Sequence, residues 1–529
     1  MKLITRFMYL PAACIALLSS CAEDQTESYD KFEDQALEAY MTQKHPELLE
    51  NYQTEGGYYV DVLEAGDPDA KPVNDTICWV KFDFSGRDLN GNIALTRRAS
   101  EAYQLGTFTK YTHYVPYYRY CGILNSGLLE GTYLAMRNTL YLGEEYAAER
   151  NLDREFLLRE GTKVRVYMPS RVVGSGGLGG DGGYEGQYSL SAKRPLIMEM
   201  EICGIDKNPL EAEGSLVDAF AKSNGGMVMY TKDGEDGTEK RPTDPNDPKH
   251  PYNRAERWVS ACDTVAQLYV NVKYDPAETL AGDKFTFDFA DPENDVANKP
   301  YNVGYEPYNG SDLEKEISEA LVKRFHGEGD DYKVYEGVDK LESDSVGLDG
   351  TAKIWYIGRF LDGFIFDTNI DEVKEIIYGE VTSEGEALSY TPEDGGLITA
   401  FYYTVPNLRY GQWAAFVTTS TNAYGTTGKS GSSTTSSSGN GYSSSYYDYL
   451  NYLNYSQLYY GNSGLYGGYY GDYYGYGGLG YGGYYGGYYG GYGYDYGSTG
   501  TTTTTTTVTT EIPSFAPLIF QFYIEPAED

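Results

Sequence analysis

Histidine is nearly missing from this chain. His45, His113, His250 and His326 are the only four among 529 residues, and none lies near another. That argues against a local imidazole metal motif or a histidine-based triad. Cysteine is also scarce: Cys14, Cys21, Cys78, Cys121, Cys203 and Cys262 match no zinc spacing. Basic residues are outnumbered, with 41 Lys and Arg against 78 Asp and Glu and a formal charge of -37. A surface this acidic disfavours nucleic acid and anionic headgroups as partners. No apolar run is long enough to cross a bilayer. Gly176–Gly183 is glycine-rich, but no Lys-Ser or Lys-Thr follows, so it does not read as a phosphate loop. Neither a metal nor a cofactor is expected.

The N-terminus is informative. Lys2 and Arg6 precede a mostly apolar stretch, Phe7 to Leu18, that is too short to span a membrane. It ends in Leu18-Ser19-Ser20-Cys21, which resembles the lipobox of bacterial lipoproteins. The resemblance implies a signal peptide over residues 1–20 and a lipid on Cys21. Ala22 after the cysteine is similar to the outer-membrane default, so an outer-membrane lipoprotein facing the periplasm or the cell surface is expected. Cys78, Cys121, Cys203 and Cys262 would then enter a compartment that permits disulfides, and three full pairings stay open.

Residues 21–55 read as a lipidated tether that turns helical, with Ala36, Leu37, Tyr40 and Met41 at helical spacing. Strands are expected at Gly57–Val62, Thr76–Phe82, Lys163–Tyr167 and Leu196–Ile202, which are rich in β-branched and aromatic residues. A helix is expected over Leu128–Leu140. These elements form a first unit over 56–205. Residues 206–331 read as a linker and strand-rich connecting region, polar over 231–256, with strands at Ala266–Lys273 and Lys284–Phe289 and a helix at Asp312–Phe325. A second unit is expected over 332–428 and 511–529. Its two parts are separated by residues 429–510, a Ser/Thr/Gly segment that passes into Gly-Tyr blocks and ends in Thr501–Thr507. With few aliphatic residues this insertion builds no core and is expected to lack compact structure. A self-associating role for its tyrosines and simple loop growth are both open.

The second unit carries the chemistry. Tyr356-Ile357-Gly358-Arg359-Phe360-Leu361-Asp362-Gly363-Phe364-Ile365-Phe366-Asp367 resembles the FKBP signature Y-x-G-x-x-x-D-G-x-x-F-D. Leu397-Ile398 opens a helix containing Phe401. Ala423-Tyr424-Gly425-Thr426-Thr427-Gly428 is similar to the A-Y-G-x-x-G loop, and Ile512-Pro513-Ser514-Phe515-Ala516-Pro517-Leu518-Ile519-Phe520 to I-P-P-x-x-x-L-x-F. The resemblance implies an α+β fold: a curved antiparallel sheet wrapped on a helix. It also implies one pocket formed by Tyr356, Phe366, Asp367, Leu397, Ile398, Phe401, Tyr424, Ile512 and Phe520. In the family's manner Phe401 would floor it and Phe366 and Phe520 would wall it. The Ile398 N–H and the Tyr424 hydroxyl would bind peptide carbonyls, and Asp367 would bear on the twisted amide. Prolyl isomerisation needs no acid, base or metal, only a site that binds the twisted amide best, against a barrier of about 20 kcal/mol.

The first unit resembles a degenerate copy. Phe84-Ser85-Gly86 keeps the start of the motif, but Ala94-Leu95 replaces Phe-Asp and Thr132 stands at the aromatic floor. Met168-Pro169-Ser170-Arg171 is similar to the family's I-P-S-R. Gly174 then replaces the pocket tyrosine, and Met198 replaces the last phenylalanine. Two copies are therefore expected, the first without a working pocket. Two functions follow: a peptidyl-prolyl isomerase or folding factor acting on proline-containing clients, or an interaction scaffold without turnover.

Overall fold

The computed structural model describes residues 29–527 except 74–78, 107, 122–127, 174–193, 232–237, 241–266, 281–310, 328–344, 348, 380, 382–383, 393–395, 430–431 and 439–502. The export segment with Cys21, the strand expected at Lys284–Phe289, Gly174, Cys78 and Cys262 lie outside the described residues. Of the other two cysteines, Cys121 is buried beside the Met136 sulfur and Cys203 bonds the Glu201 carbonyl.

In the first unit the helix Tyr29–Lys44 buries Leu37 and Met41. Strands follow as β1 (Tyr52–Gln53), β2 (Tyr58–Ala65), β3 (Trp79–Arg87), β4 (Ile93–Thr96), β5 (Tyr117–Tyr120), β6 (Leu140–Tyr141), β7 (Glu155–Phe156), β8 (Thr162–Met168) and β9 (Leu196–Asp206). The main sheet runs β1-β2-β8-β9-β3-β4, with β5 also on β3, and every pairing is antiparallel. Side chains alternate across a strand. Val164, Val166, Met198 and Met200 therefore share one face and form a core with Leu134, Ala135 and Met136 of the helix Glu130–Arg137. The intervening Arg165 and Glu199 pair on the opposite face at 2.8 Å, where Arg98 bridges Asp83 and Glu199.

The second unit holds β10 (Val228–Thr231), β11 (Thr238–Lys240), β12 (Leu268–Asn271), β13 (Ala352–Arg359), β14 (Ile365–Thr368), β15 (Leu388–Tyr390), β16 (Trp413–Thr418), β17 (Ser432–Ser438), β18 (Thr503–Thr509) and β19 (Leu518–Pro526). Its sheet runs β11-β10-β12-β16-β19-β13-β14, with β15 on β13; only β10–β11 is parallel. One face wraps the helix Thr399–Thr404. The other is covered by the helices Pro209–Ser223, Ser311–His326 and Asp371–Tyr378, whose Val217, Phe220, Ile317, Leu321, Val373 and Ile377 pack on Ile357, Trp413, Ala415, Val417 and Ile519.

This corrects the reading of 206–331 as a connecting region. Leu268 to Asn271 pair with Thr418 to Ala415, so β12 is a strand of the second sheet. That membership is set by a partner about 150 residues away, and nothing local reveals it. Both units are thus α+β with the FKBP-like arrangement, and their registers correspond. Gly86 faces Leu95 as Gly358 faces Asp367, each followed by a register shift at the next arginine.

The insertion also departs from expectation at its ends. β17 and β18 form an antiparallel ribbon from Ser432↔Thr509 to Ser438↔Thr503. Threonine is β-branched and supports strands even without a core. The ribbon stands on an isolated bridge between Lys429 and Ile512. Because Ser438 and Thr503 are opposed, replacing 439–502 by Asn-Gly should close a two-residue hairpin. Loop length costs only about 0.6 kcal/mol per doubling, so cooperative unfolding should persist with an unchanged or slightly higher midpoint. Loss of the transition would show that the excised residues hold the fold together.

The two units are joined by buried contacts. Arg97 pairs with Glu511 at 3.3 Å and His113 with Asp362 at 2.6 Å, all four groups nearly solvent-free. His113 stacks on Phe360 at 4.4 Å and Tyr111 on Tyr378 at 4.0 Å. Phe515 sits at φ 57 with its ring 4.7 Å from that of Trp79.

Candidate active site

The β13–β14 hairpin presents the first site residues. Its turn closes through Phe360 N–H to the Phe364 carbonyl at 2.9 Å, with Gly363 at φ 88 and the Asp362 carboxylate accepting from Phe364 N–H. Glycine is required again at 358: a Cβ there would lie 2.6 Å from the Phe366 ring, which lies across the strand. The hairpin register sets Tyr356 near Asp367, and the Tyr356 hydroxyl donates to the carboxylate at 2.7 Å. Burial, then the negative charge of Asp367, pushes the Tyr356 phenol well above its usual range. The hydroxyl therefore stays protonated and donating at any physiological pH.

Behind this polar corner lies a nest of rings. Phe401 stands 5.3 Å from Phe520 and 5.2 Å from Phe416, both edge-on. Phe520 is 5.7 Å from Tyr356 and from Phe366. Edge-to-face contacts at these distances are favoured by the ring quadrupoles. Ile512 is buried in the same cluster, and Leu397, Ile398 and Tyr424 pack against it half-buried. Eight of the nine residues singled out from the sequence thus belong to this core cluster or pack against it, and Asp367 is tied to it by the Tyr356 hydroxyl. Ile398 is the N-cap of the helix Thr399–Thr404, its carbonyl bonded to Phe401 N–H. Its own N–H therefore stands outside the helix ladder.

Tyr424 is held by a loop closed on Ser420, whose carbonyl accepts from Ala423 N–H at 2.9 Å and Gly425 N–H at 2.7 Å. Burial and the nearby Asp367 raise the Tyr424 phenol too, so it also remains a donor. Two further groups border the site that sequence reasoning missed. Lys429 lies 5.4 Å over the Tyr424 ring. Tyr378 is near enough to act on the Tyr356 phenol, and it carries Tyr111 of the first unit on its other neighbour contact. Neither falls in a motif.

The nest is tightly filled: Phe366, Phe401 and Phe520 are 3%, 2% and 2% exposed. Ala99, Ala102, Tyr114 and Val115 of the first unit are buried in the same cluster. A cavity of about 50 Å³ lies at the junction of the units, lined by Lys81, His113, Glu213, Phe360, Phe515 and neighbours, and not over Phe401. In the first unit Leu95 takes the place of Asp367 in register, and its side chain lies over Gly86. Thr132 is buried at the floor position, and Met198 stands opposite Val166 where Phe520 stands opposite Phe416.

No protein-family model and no curated protein matches this chain. Among solved structures it is similar to FkpA from Escherichia coli, at 13% identity and a TM-score of 0.21, over 38% of this chain and 70% of that one. It is similar to a structure of the three FKBP domains of wheat FKBP73, at 10% identity and 0.18, over 90% and 97%. A peptidyl-prolyl cis-trans isomerase from Pseudomonas syringae matches at 15% identity and 0.21, over 34% and 98%. Scores this low carry no weight on their own; the FKBP-like fold rests on the strand order and registers above.

Proposed function

We propose that the second unit is an FKBP-type peptidyl-prolyl cis-trans isomerase or folding factor for proline-containing clients. We further propose that Cys21 carries a lipid that holds the chain to the outer membrane. The observation that carries the first reading is the polar corner on the aromatic nest: the Tyr356 hydroxyl on Asp367, with Tyr424 beside it. An inert core would leave that carboxylate out. A prolyl ring entering against Phe401, Phe366 and Phe520 would lose water. Carbonyls on either side would meet the Ile398 N–H and the Tyr424 hydroxyl. Desolvation and donors aimed at the twisted amide are what the reaction needs.

The test uses soluble residues 22–529 and a tetrapeptide with a cis X-Pro bond. Wild type should accelerate isomerisation. Tyr424→Phe removes one hydroxyl, and Asp367→Asn removes the charge while keeping an amide oxygen that accepts from the Tyr356 hydroxyl. Each should lower kcat/KM by roughly tenfold to a hundredfold, the equivalent of about 1–3 kcal/mol, with thermal midpoints within a few degrees. Activity equal to wild type in both would overturn the assigned roles.

A second reading is a non-catalytic interaction scaffold. It is favoured by the 2–3% exposure of Phe366, Phe401 and Phe520 and by first-unit residues packed in their cluster. Wild type that binds proline peptides but leaves isomerisation at its uncatalysed rate would establish it.

A further inference from the structure

We propose that Glu213, on the helix Pro209–Ser223 and outside every motif of the site, is the positioning residue that sets the Tyr424 hydroxyl. The proposal deepens the isomerase reading above and rests on it for its kinetic arm. Glu213 is 2% exposed, and its carboxylate takes two hydrogen bonds from one residue. Ser420 donates its backbone N–H to one oxygen and its hydroxyl to the other, the latter at 2.8 Å. Ser420 is the residue on which the Tyr424 loop closes, since its carbonyl holds the N–H groups of Ala423 and Gly425 on either side of the tyrosine. The chain of contacts therefore runs from a helix to Ser420, from Ser420 to the two flanking amides, and so to the ring. Burial pushes the Glu213 carboxyl up to about 7, against the pull of the two Ser420 bonds. A carboxylate kept in so costly a place by one serine is suited to fixing that serine.

The repeat supplies an internal control. In the first unit Glu33, on the helix Tyr29–Lys44, accepts from the Ser170 N–H and hydroxyl, each at 2.7 Å. In sequence Gly174 follows Ser170 at the spacing at which Tyr424 follows Ser420, and a glycine has no side chain to place. The first clamp thus has no tyrosine to position, and its loss should not bear on the site.

The test compares Glu213→Gln, Ser420→Ala and Ser170→Ala in residues 22–529. Glu213→Gln keeps the size of the side chain but cannot accept both bonds. It should lower kcat/KM on the X-Pro tetrapeptide about tenfold, and Ser420→Ala should do so by less. Combined with Tyr424→Phe, neither should lower the rate further, because the hydroxyl being positioned is already gone. A general loss of structure would instead add to Tyr424→Phe, and full additivity would overturn the proposal. Ser170→Ala should leave the rate unchanged. Amide hydrogen exchange over 420–425 provides an arm that does not depend on activity. The Ala423 and Gly425 amides should exchange at least tenfold faster in Glu213→Gln and faster in Ser420→Ala. Unchanged exchange overturns the clamp. Faster exchange in the variants, together with a wild type that shows no isomerase activity, retains the clamp and sinks only the enzymatic reading. Should Glu213→Gln fail to fold, Ser420→Ala decides by the same two measurements.

Discussion

Arg359→Met is expected to destabilise the second unit by about 3–5 kcal/mol, the cost of leaving a buried charge without its partner. Arg359 is fully buried, and its guanidinium forks onto Glu314 at 2.6 and 3.1 Å. It also donates to Gln521 at 2.8 Å and to the Gly363 carbonyl at the hairpin turn. Methionine fills much of the volume but leaves the Glu314 carboxylate, 7% exposed, facing an apolar layer. Adding Glu314→Leu should recover most of the loss, since an apolar pair of similar volume is often no worse than a buried ion pair. Urea unfolding measures both. A single-mutant loss below about 1 kcal/mol would mean that water reaches the pair and that the helix Ser311–His326 covers the sheet loosely.

A chain cut to residues 332–529 is expected not to fold, although it contains every motif residue. It lacks β12, the partner of β16, and the helices that bring Val217, Phe220, Ile317 and Leu321 onto the sheet. Each such side chain contributes roughly 1.5–3 kcal/mol by burial, so losing these four removes on the order of 6–12 kcal/mol. That matches the whole stability of an ordinary domain, roughly 5–15 kcal/mol. Circular dichroism should show no cooperative thermal transition for 332–529, and restoring 207–331 should bring one back. A sharp transition in the shorter chain would return 206–331 to the role of a connection.

Why the motif was legible and its domain was not follows from the range of the interactions. The hairpin from Tyr356 to Asp367 is made of neighbours: the Gly363 turn, the Phe366 ring lying against Gly358 and the Tyr356–Asp367 bond all fall within a dozen residues. The covering of the sheet is written more faintly. β8 alternates Lys163, Val164, Arg165, Val166, the pattern of a sheet with one polar face. β16 reads Trp413-Ala414-Ala415-Phe416-Val417-Thr418 and is buried throughout, the pattern of a strand covered on both faces. That run announced missing helices without saying which. The contacts between units were beyond reach altogether. His113 looked isolated in sequence, yet it pairs with Asp362, 249 positions away. Glu213 lay in a segment read as a linker, and only the fold brings it to Ser420.

The order of strands has a consequence for any process that handles this chain from its N-terminal side. β19 runs through the middle of the second sheet, between β16 and β13, yet it follows every other strand of that sheet in sequence. In the first unit β9 has the same central place, but it ends at Asp206. The first unit can therefore zip shut early. The second must wait with β13 and β16 unjoined until residues 518–526 arrive, after the whole of 429–510 has gone by. Such an interval exposes two strand edges to wrong partners. The finished first unit, with Arg97 and His113 already presented, is then the nearest solid surface on which the waiting half can assemble.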